Sequence, residues 1–183
     1  MSSDNPGDAA DSITGAWARE RPDLPGDSIG IVTRIWHASK LLGDDRNRLL
    51  RRHDADPATL DLLSTLRRGG QPYRMSTGEL ARASLITKGA ITQRVDRAEA
   101  QGYVRRVTAP GRKVAEVALT DRGRRVSDEL VEAVLRHEEG LLAGLPQHER
   151  DDLAASLRRL LAHLHRVLGA QGDGNPGQVG TRD

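Results

Sequence analysis

Four leucines surround one carboxylate in ATLDLLSTL, residues 58–66. Leu60, Leu62, Leu63 and Leu66 mark a segment of core, and Asp61 is its only charge. An ionised carboxylate taken out of water costs several kcal/mol unless a cation meets it. Two arginines are candidates: Arg94 precedes the apolar Val95, and Arg106 lies in the β-patterned stretch YVRRV. Either guanidinium suits bidentate pairing with a carboxylate. One reading is a static buried ion pair that fixes the angle between two packed elements. The other is a switch. A planar anion repelled by Asp61 and drawn to the arginines would compete for them and favour a different state of the protein.

A second chemistry lies in the distribution of charge. The formal net charge of the 183 residues is only +2. From Arg82 to Arg125, however, eleven basic residues face four acids, so this stretch carries a surplus of seven positive charges and the rest of the chain a deficit of five. Such asymmetry is the footprint of an element that binds a polyanion.

Other chemistries are poorly supplied. The chain has no cysteine, which removes disulfides, thiolate metal sites and a thiol nucleophile, and suits a cytoplasmic protein. There is no phosphate-binding glycine loop and no nucleophile-elbow pattern. His163 and His165 are two positions apart, so a helix would point them about 200° from each other. Neither an enzyme, a cofactor nor a metal site is expected. No apolar run approaches the roughly 20 residues of a membrane span. The N-terminal MSSDNPGDAADS is polar and acidic, unlike a signal peptide.

The elements that must position these residues can be read from periodicity and caps. Pro22 and Pro25 end a short first helix. Ile31, Ile35, Leu42 and Leu49 form the stripe of a long helix from Ser28 to about Arg52. Pro57 opens the next helix, which runs to Arg68. Ser76 and Glu79 have capping-box spacing. Thr87 caps a further helix whose buried face is Ile91, Val95 and Ala98, with Gly102 closing it. YVRRV and KVAEVAL then alternate as two strands of a hairpin turned at Pro110-Gly111, with Ala115, Val117 and Leu119 facing in and Glu116 out. Thr120 caps a long helix to about Leu142. A last helix from Pro146 to Leu168 carries Leu153, Leu157, Leu160, Leu161, Leu164 and Leu168.

Two short helices with a tight turn, followed by a basic-tipped hairpin, predict a winged helix-turn-helix. The fold class expected is mainly α with a small β-hairpin, flanked by long N- and C-terminal dimerisation helices. The second short helix would enter the major groove of double-stranded DNA. Lys88, Gly89, Thr92, Gln93 and Arg97 are its expected DNA-facing residues, Gln93 suiting adenine and Lys88 guanine or phosphate. Arg112 and Lys113 at the hairpin tip would reach phosphates or the minor groove. The surplus leucines of the last helix call for a partner, and a homodimer on a pseudo-palindromic operator supplies one.

The run LSTLRRGGQPYRMSTGELARASLITKGAITQRVDRAEAQGYVRRVTAPGRKVAEVALTDRG resembles the DNA-binding core of MarR-family transcriptional regulators, and the likeness extends over about residues 28–168. AWARERPDL and RRGGQPYRMS are similar to the PecS/HucR/TamR-like, urate-responsive branch. The resemblance implies a dimeric repressor released from DNA by a small anionic ligand, urate or a related molecule. It places the ligand site on Trp17, Asp61, Arg94 and Arg106. The expected organisation is a disordered tail over residues 1–10, an extra helix and linker over 11–27, the winged domain over 28–168 with its DNA-binding lobe at about 57–120, and a tail over 169–183. A constitutive or architectural DNA-binding protein without ligand sensing is the alternative, and a protein–protein adaptor that no longer binds DNA is a third.

Overall fold

A computed structural model describes residues 7–84, 86–108 and 116–169. These residues divide into two compact units, one ending at Arg46 and the other beginning at Asn47.

In the first unit, helix α1 spans Ala9–Glu20. The Asp8 carboxylate accepts from the amides of Ala10 and Asp11, and the Asp11 carboxylate accepts from the amide of Asp8. This reciprocal cap starts a helix inside the stretch expected as a tail, so the tail expected through residue 10 gives way to helix at Ala9. Helix α2 spans Asp27–Arg52, of which residues 27–46 belong to this unit, and its Arg34 pairs with both Asp8 and Asp11 at 2.8 Å.

The second unit follows the predicted order with one added strand. Helix α3 (Pro57–Arg68) is capped by Asp56. Strand β1 (Arg74–Ser76), helices α4 (Thr77–Ala83) and α5 (Lys88–Ala100), strands β2 (Val104–Val107) and β3 (Glu116–Leu119), and helices α6 (Asp121–Leu142) and α7 (Gln147–Leu168) complete it. The sheet is antiparallel with order β1-β3-β2, so the expected two-stranded hairpin is two strands of a three-stranded sheet. Arg74 pairs with Ala118 and Ser76 with Glu116 on one side of β3, and Val104 with Leu119 and Val107 with Glu116 on the other.

That central position corrects one expectation. Glu116 does not face out: it is buried at 6% exposure, with its carboxylate 3.1 Å from Arg74. β1 and β2 pair with the two edges of β3, and since Val117 and Ala118 point to opposite faces and are both buried, neither face of the strand is open to water. Ala115 and the Pro110-Gly111 turn lie outside the described residues.

The main core joins Leu62, Leu63 and Leu66 of α3, Leu80 of α4, Ile91, Val95 and Ala98 of α5, and Val104 and Val117 of the sheet. Each large side chain buried there contributes about 1.5–3 kcal/mol. A second cluster joins Leu49, Leu50 and Leu60 to Leu130 and Val134 of α6. The start of α6 is fixed by Thr120, whose hydroxyl donates to the Gly102 carbonyl and accepts from the Gly123 amide. A Cβ on Gly123 would lie 1.8 Å from the Tyr103 carbonyl oxygen, so only glycine fits this crossing. Helix α7 has no buried residue, and Leu153, Leu157, Leu161 and Leu168 are exposed along it.

Candidate functional site

Helix α4 begins at a complete capping box: the Ser76 amide donates to Glu79 at 2.8 Å, and the Glu79 amide donates to the Ser76 hydroxyl at 3.2 Å. The chain leaves α4 through Ser84, and Thr87 caps α5 by accepting from the Ala90 amide at 3.2 Å. Two well-stopped helices separated by residues 84–87 are the geometry that 3.6-residue periodicity and these caps require. Helix α5 buries Ile91, Val95 and Ala98. The same twist leaves Gly89, Thr92, Gln93 and Arg97 exposed to solvent. Lys88 is the first residue of the helix. The amide end of α5, with its partial positive charge, is thus grouped with polar side chains able to meet an anion or a base edge.

Arg94 lies between the buried and exposed faces of α5 and resolves the choice left open for Asp61. Its guanidinium donates to the Asp61 carboxylate at 2.6 Å, with the two side chains only 10% and 17% exposed. The contact joins α3 to α5 inside the protein.

Arg106 goes elsewhere. From β2 it reaches Asp96 at 2.5 Å and also pairs with Glu99, both on α5. Its backbone amide donates to Glu99 as well, at 2.9 Å. The hydrogen bond to Asp96 raises the Arg106 pKa further, against a smaller opposing effect of burial. The structure therefore brings Asp61 and Arg94 together and gives Arg106 different partners. The reason is spacing: Asp96 and Glu99 stand three residues apart on one helical face and offer two carboxylates to the neighbouring strand.

Arg97 meets the Asp56 carboxylate at 3.1 Å, where the side chains are 61% and 43% exposed. Asp56 also accepts from the Thr59 amide at 2.7 Å as the cap of α3. Burial pushes the Asp56 carboxyl up, but the Thr59 bonds and the Arg97 charge outweigh it and hold the group below the usual carboxylate value. Sequence reasoning did not single out Asp56, Asp96 or Glu99. An aspartate directly before Pro57 was the available signal for the first, and the i, i+3 acids were the signal for the others.

Trp17 lies on α1, half exposed, in the first compact unit. Arg112 and Lys113 lie outside the described residues. Among the described residues, no group of three or more carboxylates and imidazoles is placed to hold a metal ion. No helix there is long and apolar enough to cross a membrane.

Comparison with known proteins gives consistent findings. A family model described as the MarR family matches residues 53–113. The HTH-type transcriptional regulator PecS of Dickeya dadantii (strain 3937) is 30% identical over 153 residues, covering 83% of this chain and 92% of that regulator. Among solved structures, Sco5413, a MarR family transcriptional regulator from Streptomyces coelicolor, matches with a TM-score of 0.64 at 20% identity, over 76% of this chain and 96% of that one. A mutant MarR from E. coli complexed with operator DNA matches with a TM-score of 0.61 at 22% identity, over 79% of this chain and 97% of that one.

Proposed function

This chain belongs to the MarR family of DNA-binding transcriptional regulators, and from that premise we propose that it is a dimeric repressor released from a two-fold operator by a small planar anion such as urate. One observation carries the reading. Helix α5 turns Thr92, Gln93 and Arg97 outward, while Arg94, between them in sequence, turns inward to Asp61. The helix that would read bases is thereby joined to α3 by a buried ion pair beside its apolar contacts through Ile91, Val95 and Ala98.

The mechanism follows from that arrangement. With the pair intact, α5 keeps one orientation on α3, and Thr92 and Gln93 can address base edges in the major groove. A planar anion carries the same charge as Asp61 and competes for Arg94 and, once it leaves Asp96 and Glu99, for Arg106. Ligand and DNA then favour different arrangements of α5, so each weakens the binding of the other. Dimerisation is supported by α7, where Leu153, Leu157, Leu161, Leu164 and Leu168 stay exposed among the described residues, and by the two-fold symmetry that reading two half-sites demands.

The constitutive DNA-binding reading is favoured by one contact, the engagement of Arg106 with Asp96 and Glu99 rather than Asp61. Titration of urate, xanthine and salicylate into the protein–DNA complex, followed by fluorescence anisotropy with thermal shift in parallel, separates the two. Urate at millimolar concentration is expected to stabilise the protein and release the DNA. If it does neither, urate is not the ligand. If Asp61→Asn and Arg106→Ala leave every ligand response unchanged, the proposed site is wrong.

A further inference from the structure

Two ion pairs fasten α5 to α3, and they differ in kind. The Asp61–Arg94 pair is buried. The Asp56–Arg97 pair lies in solvent, where such contacts are weak and exchange readily with other ions. Arg97 stands four residues after Gln93, so the two share a face of α5. The oxygens of Asp56 have separate partners: Oδ1 accepts from the Thr59 amide, and Oδ2 meets Arg97. The cap and the arginine contact can therefore be separated by chemistry.

We propose that Asp56 sets the affinity for DNA, its carboxylate being an internal competitor that a phosphate must displace from Arg97. The inference rests on the reading of α5 as the DNA-facing helix. A phosphate and a carboxylate claim the same guanidinium donors, and the guanidinium cannot serve both in its paired geometry. In the free protein Asp56 holds Arg97 partly neutralised. It thereby weakens the sequence-independent attraction to phosphate that supplies non-specific binding. Contacts from Thr92 and Gln93 to bases are left untouched. The result is a uniform brake on affinity that keeps the protein from lodging on bulk DNA.

Asparagine and serine cap helices about as well as aspartate, so Asp56→Asn and Asp56→Ser retain the start of α3 and remove the competitor. The experiment measures the affinity of the full chain by anisotropy, for a selected binding sequence and for an unrelated duplex. The variants are Asp56→Asn, Asp56→Ser, Arg97→Ala and the double variant Asp56→Asn with Arg97→Ala, each checked for a cooperative melting transition well above the assay temperature. Asp56→Asn and Asp56→Ser are expected to tighten binding to both duplexes by about 1.5- to five-fold per protomer, the range of an exposed ion pair. In the Arg97→Ala background most of that gain should vanish. An equal gain in both backgrounds would show long-range charge alone and overturn the proposal, as would no gain in the wild-type background. A wild type that binds neither duplex would instead defeat the DNA-facing reading of α5 itself.

Discussion

Removing Arg94 leaves the Asp61 carboxylate among the leucines of α3 without its cation. The pair is 2.6 Å long and its side chains are more than four-fifths buried. Breaking such a pair from one side costs about 3–5 kcal/mol, most of it the desolvated charge left behind. Against a total stability of about 5–15 kcal/mol for a domain of this kind, that is a large fraction. Arg94→Ala should therefore lower the urea midpoint by roughly 1.5–2.5 M, taking a slope of about 2 kcal/mol per M. Replacing both partners by apolar side chains removes the buried charge together with its partner. Asp61→Leu with Arg94→Met should then recover wild-type stability or exceed it, as apolar replacements of buried pairs often do. The same double variant should stay folded and lose every response to an anionic ligand. Equilibrium urea unfolding of the wild type, both single variants and the double variant completes the cycle. A loss below about 1 kcal/mol for Arg94→Ala, the range of an exposed pair, would refute the reasoning. So would a double variant no more stable than the singles.

Other outcomes follow from the same geometry. Gly123→Ala should destabilise the protein by about 3 kcal/mol or more, read by thermal melting, because its Cβ would sit 1.8 Å from the Tyr103 carbonyl oxygen. The Asp56 carboxyl is held below its usual value, so its charge stabilises the fold above about pH 4 and that contribution fades as the pH falls through the folded-state value. The stability difference between wild type and Asp56→Asn should accordingly be largest at neutral pH and shrink in acid. Leu157→Glu with Leu161→Glu changes two side chains that are exposed in the protomer. Sedimentation should show a folded monomer with weak DNA binding, and a folded dimer would place the interface elsewhere.

The helices were legible because their ends carry local chemistry. Ser76 with Glu79, Thr87, Thr120 and Gly102 each satisfy or terminate backbone groups within a few residues, so spacing alone reveals them. Strand β1 was not legible. Arg74–Ser76 has no alternation, and it is a strand only because β3 pairs with it across forty residues of chain. The same pairing explains the burial of Glu116, which on its own strand looks solvent-facing. The box at Asp8 and Asp11 escaped notice because aspartate replaces the longer acid usual at its third position. Within the candidate site, a lone carboxylate among leucines announced a cationic partner, but sequence could not choose between Arg94 and Arg106. The choice depends on where Asp96 and Glu99 face, and that is set by the packing of β2 on α5.

The central claim, that α5 reads operator DNA in a two-fold pair, is met most directly by selecting binding sequences from a random duplex pool with the wild type and with Gln93→Ala. The wild type should enrich a pseudo-palindrome whose half-sites lie about one helical turn, roughly 10 bp, apart. Gln93→Ala should lose preference at one symmetric pair of positions while keeping the rest of the pattern. Enrichment of sequences without two-fold symmetry, or of none at all, would contradict the account, and an unchanged preference in Gln93→Ala would take α5 out of the groove.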